Sequence, residues 1–148
     1  MSMSFRQLRR IRRFGTDSDG AAMVEFAIIA PLLFALIFGI IDFGRVFFLY
    51  NNLTNAAREG ARLGAVLDPT TRTVAQRQFS VDSAVRLRIN DNAARVAAAT
   101  IAVTFPGAAG SVTSRVRIVN YPFQPVTFLV IGASKQLNVT AEFRLEFQ

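Results

Sequence analysis

The hydropathy pattern is dominated by one uninterrupted apolar stretch near the N-terminus. Residues 21–41 contain a single charged side chain, Glu25, and residues 26–41 contain none. As an α-helix, a stretch of this length extends about 31 Å, close to the thickness of the hydrocarbon core of a bilayer. No other apolar run in the sequence approaches this length. The pattern therefore predicts a transmembrane helix over residues 21–42.

A helical period continues beyond the apolar stretch. Apolar or small residues recur every three or four positions: Phe43, Phe47, Tyr50, Leu53, Ala57, Ala61 and Gly64. This spacing is typical of one face of an α-helix. Asp68 followed by Pro69 should end the helix, at about Val66. Residues 43–67 are therefore predicted to continue the membrane helix outside the bilayer.

The remaining segment, residues 68–148, combines a short helical pattern with three alternating ones. Val81, Val85 and Ile89 share one side of a predicted amphipathic helix, and NDN at residues 90–92 interrupts it. The period then becomes two in TIAVTF, in SVTSRVRIVNY and in the final LNVTAEFRLEF. Such alternation predicts strands with one apolar face. YPFQPVTFLVIG, residues 121–132, alternates little and is predicted to be a buried connection, a short strand or an exposed patch for a partner.

An apolar sheet face needs a cover, because it is unstable in water. The outer half of the long helix is the available cover. The predicted fold class is α+β: a long N-terminal helix, membrane-spanning in its first half, packed on a small three-stranded antiparallel sheet.

The charge distribution predicts the orientation of the membrane helix. The formal net charge is +7, and all 17 basic residues except Lys135 are Arg. Five of them precede the apolar stretch: Arg6, Arg9, Arg10, Arg12 and Arg13. Arg45 is the only basic residue between that stretch and Arg58. The positive-inside rule then places the N-terminus in the cytoplasm and everything after about residue 42 on the exported side. The same clustering argues for membrane topology rather than for binding of nucleic acid.

The composition argues against most enzymatic chemistry. The chain has no Cys and no His. Disulfides, Cys-ligated zinc and thiol nucleophiles need Cys, and His is the commonest general base and metal ligand. The segments SVDS and SVTS lack a Lys or His partner that would activate Ser. We therefore predict no catalytic residue, no metal site, no cofactor and a non-enzymatic role.

Gly20 and Glu25 stand at the start of the apolar stretch in a spacing that suggests proteolysis. Cleavage after Gly20 would create an α-ammonium on Ala21 and place Glu25 at the fifth position of the new chain. Each of these charges is costly in lipid, and pairing lowers the cost. The pair Ala21–Glu25 would form within one helix or between neighbouring helices, where it would set their register. The alternative is an uncleaved signal anchor in which Glu25 snorkels to the interface.

Two further sets of residues are candidates for structural roles on the helix. Asp42 and Arg45 are three residues apart and are predicted to pair at the outer membrane edge. Four small residues are predicted to let another helix or the sheet come close: Ala57, Gly60, Ala61 and Gly64.

Taken together, the basic leader, Gly20, Glu25 and the apolar helix resemble the class III signal of type IV prepilins. VEFAIIAPLLFALIFGIIDFGRVFF followed by NNLTNAAREGAR also resembles the TadE-like family of pseudopilins over about residues 24–64. These are small accessory proteins of the tight adherence (Tad, or Flp) adhesive pilus system. The resemblance implies a pilin-like arrangement and a prepilin peptidase substrate in the bacterial inner membrane. The partners it implies are other pseudopilins, the major pilin, the inner-membrane assembly platform and the lipid bilayer.

Two functional predictions follow from the sequence. The first is a minor pseudopilin or assembly component that loses its leader, residues 1–20, and joins the base or the filament of the pilus by packing of its N-terminal helix. The second is an uncleaved, single-pass membrane protein whose exported domain, residues 68–148, binds a partner in the cell envelope.

Overall fold

The computed structural model describes residues 17–106, 113–126 and 135–144, with side chains from residue 20 onward. The arginines of the predicted leader lie outside these residues. Within the described part of the chain, three helices precede three strands: α1 (Asp17–Val66), α2 (Val74–Arg88), α3 (Ala93–Ala98), β1 (Thr100–Thr104), β2 (Thr113–Phe123) and β3 (Lys135–Arg144). The chain divides into two compact units, Met1–Phe38 and Gly39–Gln148.

The described part of the first unit is helical, and its large apolar side chains face outward. Phe26 and Leu32, for example, are 68% and 74% exposed. Gly20–Val66 is the one described helical segment long and apolar enough to cross a membrane. Outward-facing apolar side chains are expected for a helix whose solvent is lipid, so this segment fits a membrane location. Pro31 lies inside the helix without ending it.

The long helix ends where the sequence predicts. Its last residue is Val66, and the Leu67 N–H still donates to the Leu63 carbonyl at 3.1 Å. Asp68 then accepts hydrogen bonds from both the backbone N–H and the hydroxyl of Thr70, each at 2.7 Å. This local turn replaces the helical hydrogen-bond pattern and redirects the chain toward α2.

The amphipathic helix α2 begins at a capping box. The Thr73 hydroxyl accepts from the Gln76 N–H at 3.3 Å, and the Gln76 side chain accepts from the Thr73 N–H at 2.9 Å. This reciprocal pair satisfies two backbone donors at the start of the helix. Val81 and Val85 are fully buried on one face, as their spacing predicts. The predicted break is also present, and Asn92 caps α3 by accepting from the Ala94 N–H at 2.8 Å.

The three described strands form an antiparallel sheet in the order β1-β2-β3. Val116 of β2 lies between Val103 of β1 and Ala141 of β3, and all three are buried. On the opposite face, Arg115 pairs with Glu142 at 2.7 Å. The predicted α+β class with a three-stranded antiparallel sheet is therefore confirmed.

Strand β2 ends at Phe123, two residues past the predicted pattern, and a bulge interrupts it. The register with β3 shifts between Ile118 and Tyr121, and Asn120 adopts a positive φ of 59°. Asn tolerates this left-handed conformation better than most residues, and its N–H donates to Asn138 Oδ1 at 2.9 Å. Tyr121 and Phe123 beyond the bulge are strand residues in the core. Residues 121–123, which the sequence predicted both as the end of the strand pattern and as the start of a connection or short strand, thus belong to β2, whereas residues 127–132 lie outside the described part.

The second half of α1 covers the apolar face of the sheet. Leu53, Ala57 and Ala61 are completely buried and belong to one hydrophobic cluster with Val81 and Ile118. The helix therefore serves as the layer that a one-sided sheet requires.

Candidate functional site

The residues of the predicted cleavage junction lie on the helix near its start. Gly20, Ala21 and Glu25 are all exposed, and α1 begins at Asp17, ahead of the junction. Ala21 and Glu25 are four residues apart on one helix, which is the spacing of side chains on neighbouring turns. A Cβ at Gly20 would meet no atom within 4 Å. The junction is thus accessible and helical, and a peptidase that binds an extended backbone must unwind it before cutting.

The predicted Asp42–Arg45 pair is present and belongs to a larger contact. Arg45 Nη1 lies 3.0 Å from Asp42 Oδ1. The same carboxylate oxygen accepts the backbone N–H of Val126 at 2.8 Å, and Asp42 is completely buried. The Arg45 guanidinium also lies 5.5 Å from the centre of the Phe123 ring. Asp42 therefore holds the chain that follows β2 against α1, a tertiary role that i,i+3 spacing alone did not indicate.

The four small residues of α1 are packed against their own chain. Ala57, Gly60, Ala61 and Gly64 are all buried. A Cβ on Gly60 would collide with Val85 Cγ2 of α2, and a Cβ on Gly64 would collide with Ser114 Oγ of β2. The small residues thus let both α2 and the sheet approach the helix closely. Both predicted partners, another helix and the sheet, are thus in contact with this part of α1, and both belong to the same chain.

Arg77 is a buried charged residue that sequence reasoning missed. Its Nη2 donates to the Gly64 carbonyl at 3.0 Å, and its guanidinium carbon lies 3.8 Å from the centre of the Phe105 ring. The last turn of α1 has no basic residue. Arg77 therefore supplies from α2 the positive charge that stabilises a helix C-terminus. Burial lowers the pKa of Arg77, and Asp68 partly opposes that shift. The spacing of Arg77 from Val81 and Val85 places it on the buried face of α2. This spacing was the signal in the sequence that could have identified Arg77 as buried.

Asp91 links the turn before α3 to the sheet. It accepts the Tyr121 hydroxyl at 2.8 Å and faces Arg95 at 3.4 Å. Burial by itself raises the pKa of Asp91, but hydrogen bonds from the Asn92 N–H and the Tyr121 hydroxyl, with the charge of Arg95, leave that pKa below its ordinary value. Burial and the Asp91 carboxylate raise the pKa of Tyr121 well above its ordinary range. Asp91 is thus a carboxylate that stays ionised because the fold supplies its donors.

The fold and these contacts define a long apolar helix that docks its second half onto a small α+β domain. Comparison with known proteins finds a match to one family model. Residues 20–62 match the family model described as TadE-like protein. This match confirms the resemblance predicted from VEFA, IDFGR and NAAREGAR. No curated protein and no solved structure matches the chain. The family match covers most of the long helix, while α2, α3 and the sheet lie beyond it.

Proposed function

We propose that the chain is a membrane component associated with a Tad pilus, a minor pseudopilin whose leader is removed by prepilin peptidase. The observation that carries this proposal is the TadE-like match over residues 20–62, which begins at the residue that precedes the predicted cut. An apolar stretch that begins next to the predicted cleavage junction suits a protein that is inserted first and then processed. The lack of Cys and His supports a non-enzymatic role.

In this proposal the helix performs two successive tasks. Residues 21–42 hold the protein in the inner membrane, with the N-terminus in the cytoplasm and residues 43–148 on the exported side. After cleavage, the ammonium of Ala21 pairs with Glu25 of the same or a neighbouring helix. A pair of opposite charges in lipid is costly to separate, so it fixes the register between packed helices. Other pseudopilins, the major pilin and the assembly platform are the partners that would supply those helices.

Cleavage is tested by coexpressing the full-length chain with the prepilin peptidase and measuring its intact mass. Gly20→Ala should leave a precursor about 20 residues longer, because a Cβ at the junction obstructs the extended backbone in the peptidase. Gly39→Ala is the matched control, since it makes the same change on the same helix in open space. Normal processing of Gly20→Ala would contradict the assigned junction.

Assembly is tested separately by Glu25→Leu. This variant should insert into the membrane and be cleaved normally, because a more apolar helix partitions better into lipid. It should fail to support piliation, since the Ala21 ammonium then has no carboxylate to meet. Glu59→Leu controls for loss of an acidic residue elsewhere on α1. Unchanged piliation in Glu25→Leu would refute the pairing.

The second candidate function is an uncleaved, single-pass protein whose exported domain binds an envelope partner. It is favoured by the continuity of α1 from Asp17 through Gly20, which a peptidase must disrupt. Cleavage distinguishes the two candidates, because the second predicts that the leader persists in the membrane-bound protein.

A further inference from the structure

A pocket of about 360 Å³ opens between α1, the turn before α3 and the end of β2. Ile41, Gly44 and Phe48 form its wall on α1, and Asp91 and Phe123 lie on the other side. All these residues belong to the Gly39–Gln148 unit. The pocket therefore lies within one compact unit, and its lining is partly apolar and partly polar.

Two arginines line this pocket, and their donors are only partly used. Arg45 gives Nη1 to the buried Asp42 at 3.0 Å. Arg95 reaches Asp91 at 3.4 and 3.5 Å, which are long distances for a charged hydrogen bond. The two side chains are 38% and 32% exposed. A guanidinium carries five N–H donors, so each keeps donors for an oxyanion in the pocket.

The helical wall of the pocket lies at the end of the apolar stretch, where a headgroup region is expected. Ile40 and Ile41 are exposed apolar residues, and Phe43 and Phe47 continue that surface past Asp42. Phe43 is 72% exposed, which is costly in water. Aromatic rings concentrate where a membrane meets water, and the apolar stretch before them already spans the hydrocarbon core. In the membrane location proposed above, the pocket wall would lie at the polar edge of the bilayer.

We propose that this pocket binds the phosphate group of a membrane phospholipid, with Arg45 and Arg95 as the phosphate ligands. The acyl chains would follow Ile41 toward the bilayer, and Phe48 would close the pocket on the exported side. Asp91 is a positioning residue, since the Tyr121 hydroxyl anchors it and it orients Arg95. The site rests on the membrane insertion in the proposed function and does not depend on cleavage.

Two variants probe the site by different means. Arg95→Gln removes one phosphate ligand, and Arg58→Gln is its control, because Arg58 is an exposed arginine of α1 outside the pocket. Gly44→Leu fills the pocket without removing any charge. A Cβ at Gly44 meets nothing within 4 Å, and Leu is a better helix former than Gly, so this variant should fold.

The experiment is native mass spectrometry of the full-length protein reconstituted with phosphatidylglycerol vesicles and then extracted in mild detergent. The wild type and Arg58→Gln should retain one phospholipid per chain. Arg95→Gln and Gly44→Leu should reduce the retained fraction at least about tenfold, the effect of losing a charged hydrogen bond or the space for the ligand. Vesicles of a phosphate-free glycolipid should give no retained lipid. An excess of inorganic phosphate should not displace the bound phospholipid.

Three results would overturn the proposal. Equal retention by Arg95→Gln and Gly44→Leu would show that the pocket is not the site. Equal retention of the glycolipid would show that phosphate is not recognised. Displacement by inorganic phosphate would assign the pocket to a soluble anion. The full-length chain is measured without the peptidase, so loss of lipid binding is read independently of cleavage, which the coexpression experiment tests.

Discussion

Replacing Gly64 by Ala tests whether the second half of α1 is fitted against its own domain. An ideal Cβ at Gly64 collides with Ser114 Oγ and lies 2.9 Å from Ser114 Cβ and 3.2 Å from Val81 Cγ2. Rotating the Ser114 side chain removes the first contact. It does not remove the second, because Ser114 Cβ is fixed to the backbone of β2. Either α1 or β2 must therefore move.

Two opposing effects decide the size of the change. Forcing an extra methyl group into a packed interface typically costs about 1–3 kcal/mol. Alanine is favoured over glycine in a helix interior by about 1 kcal/mol. Because one contact cannot be relieved by rotation, the packing cost should exceed the helical gain, and the free energy of unfolding should fall by about 1–2 kcal/mol. In a domain of this size that lowers the Tm by roughly 5–10 °C.

The assay is thermal unfolding of the full-length protein in detergent, monitored by circular dichroism. Gly44→Ala is the matched control, because the same change on the same helix meets nothing within 4 Å and should not lower the Tm. Ser114→Ala should restore only a small part of the stability of Gly64→Ala. Alanine removes the hydroxyl, which has no hydrogen-bond partner among the described residues, but keeps the Cβ that lies 2.9 Å away. A Gly64→Ala protein as stable as wild type would refute the packing argument, and so would an equal loss in Gly44→Ala.

Three further predictions test individual contacts. Asp42→Ala should lower the free energy of unfolding by about 2–3 kcal/mol, because the Val126 N–H and Arg45 lose a buried acceptor. Hydrogen exchange at Val126 should accelerate, and unchanged exchange would contradict the contact between Asp42 and Val126. Arg77→Met should lower the free energy of unfolding by about 1–2 kcal/mol, because it removes the donor to the carboxyl end of α1. Hydrogen exchange in the last turn of α1 should become faster, and unaltered exchange there would contradict the capping role of Arg77. Asp91→Asn should destabilise the protein near pH 7. Because folding lowers the pKa of Asp91, the ionised carboxylate stabilises the folded protein at pH values above its pKa in the unfolded chain, about 3.9. That difference should shrink as the pH falls through the lower folded pKa, and a pH-independent difference would refute it.

The sequence was sufficient for elements in which hydropathy has one clear period. The helical spacing through Ala57 and Ala61 predicted a helix to about Val66, and the structure ends it there. Val81 and Val85 marked the buried face of α2, and the alternation around Val116 predicted the core face of β2. In each case burial of one face determines both the local structure and the pattern, so the pattern is enough to infer the structure.

The remaining features depend on contacts between residues far apart in the chain. The bulge at Asn120 shifts the alternation, so the pattern did not show that β2 continues to Phe123. Asp42 was predicted to pair with Arg45, but its hydrogen bond to Val126 spans 84 positions and has no local signal. Arg77 caps α1 from another helix, and a charged residue on an apolar stripe is usually assigned to the surface.

The most direct test of the proposed function is the N-terminal residue and intact mass of the protein purified from its native membrane. Processing by prepilin peptidase predicts a chain that begins at Ala21, with Glu25 at its fifth position. A chain that retains the leader would contradict processing by prepilin peptidase, because Glu25 would then have no new ammonium to meet.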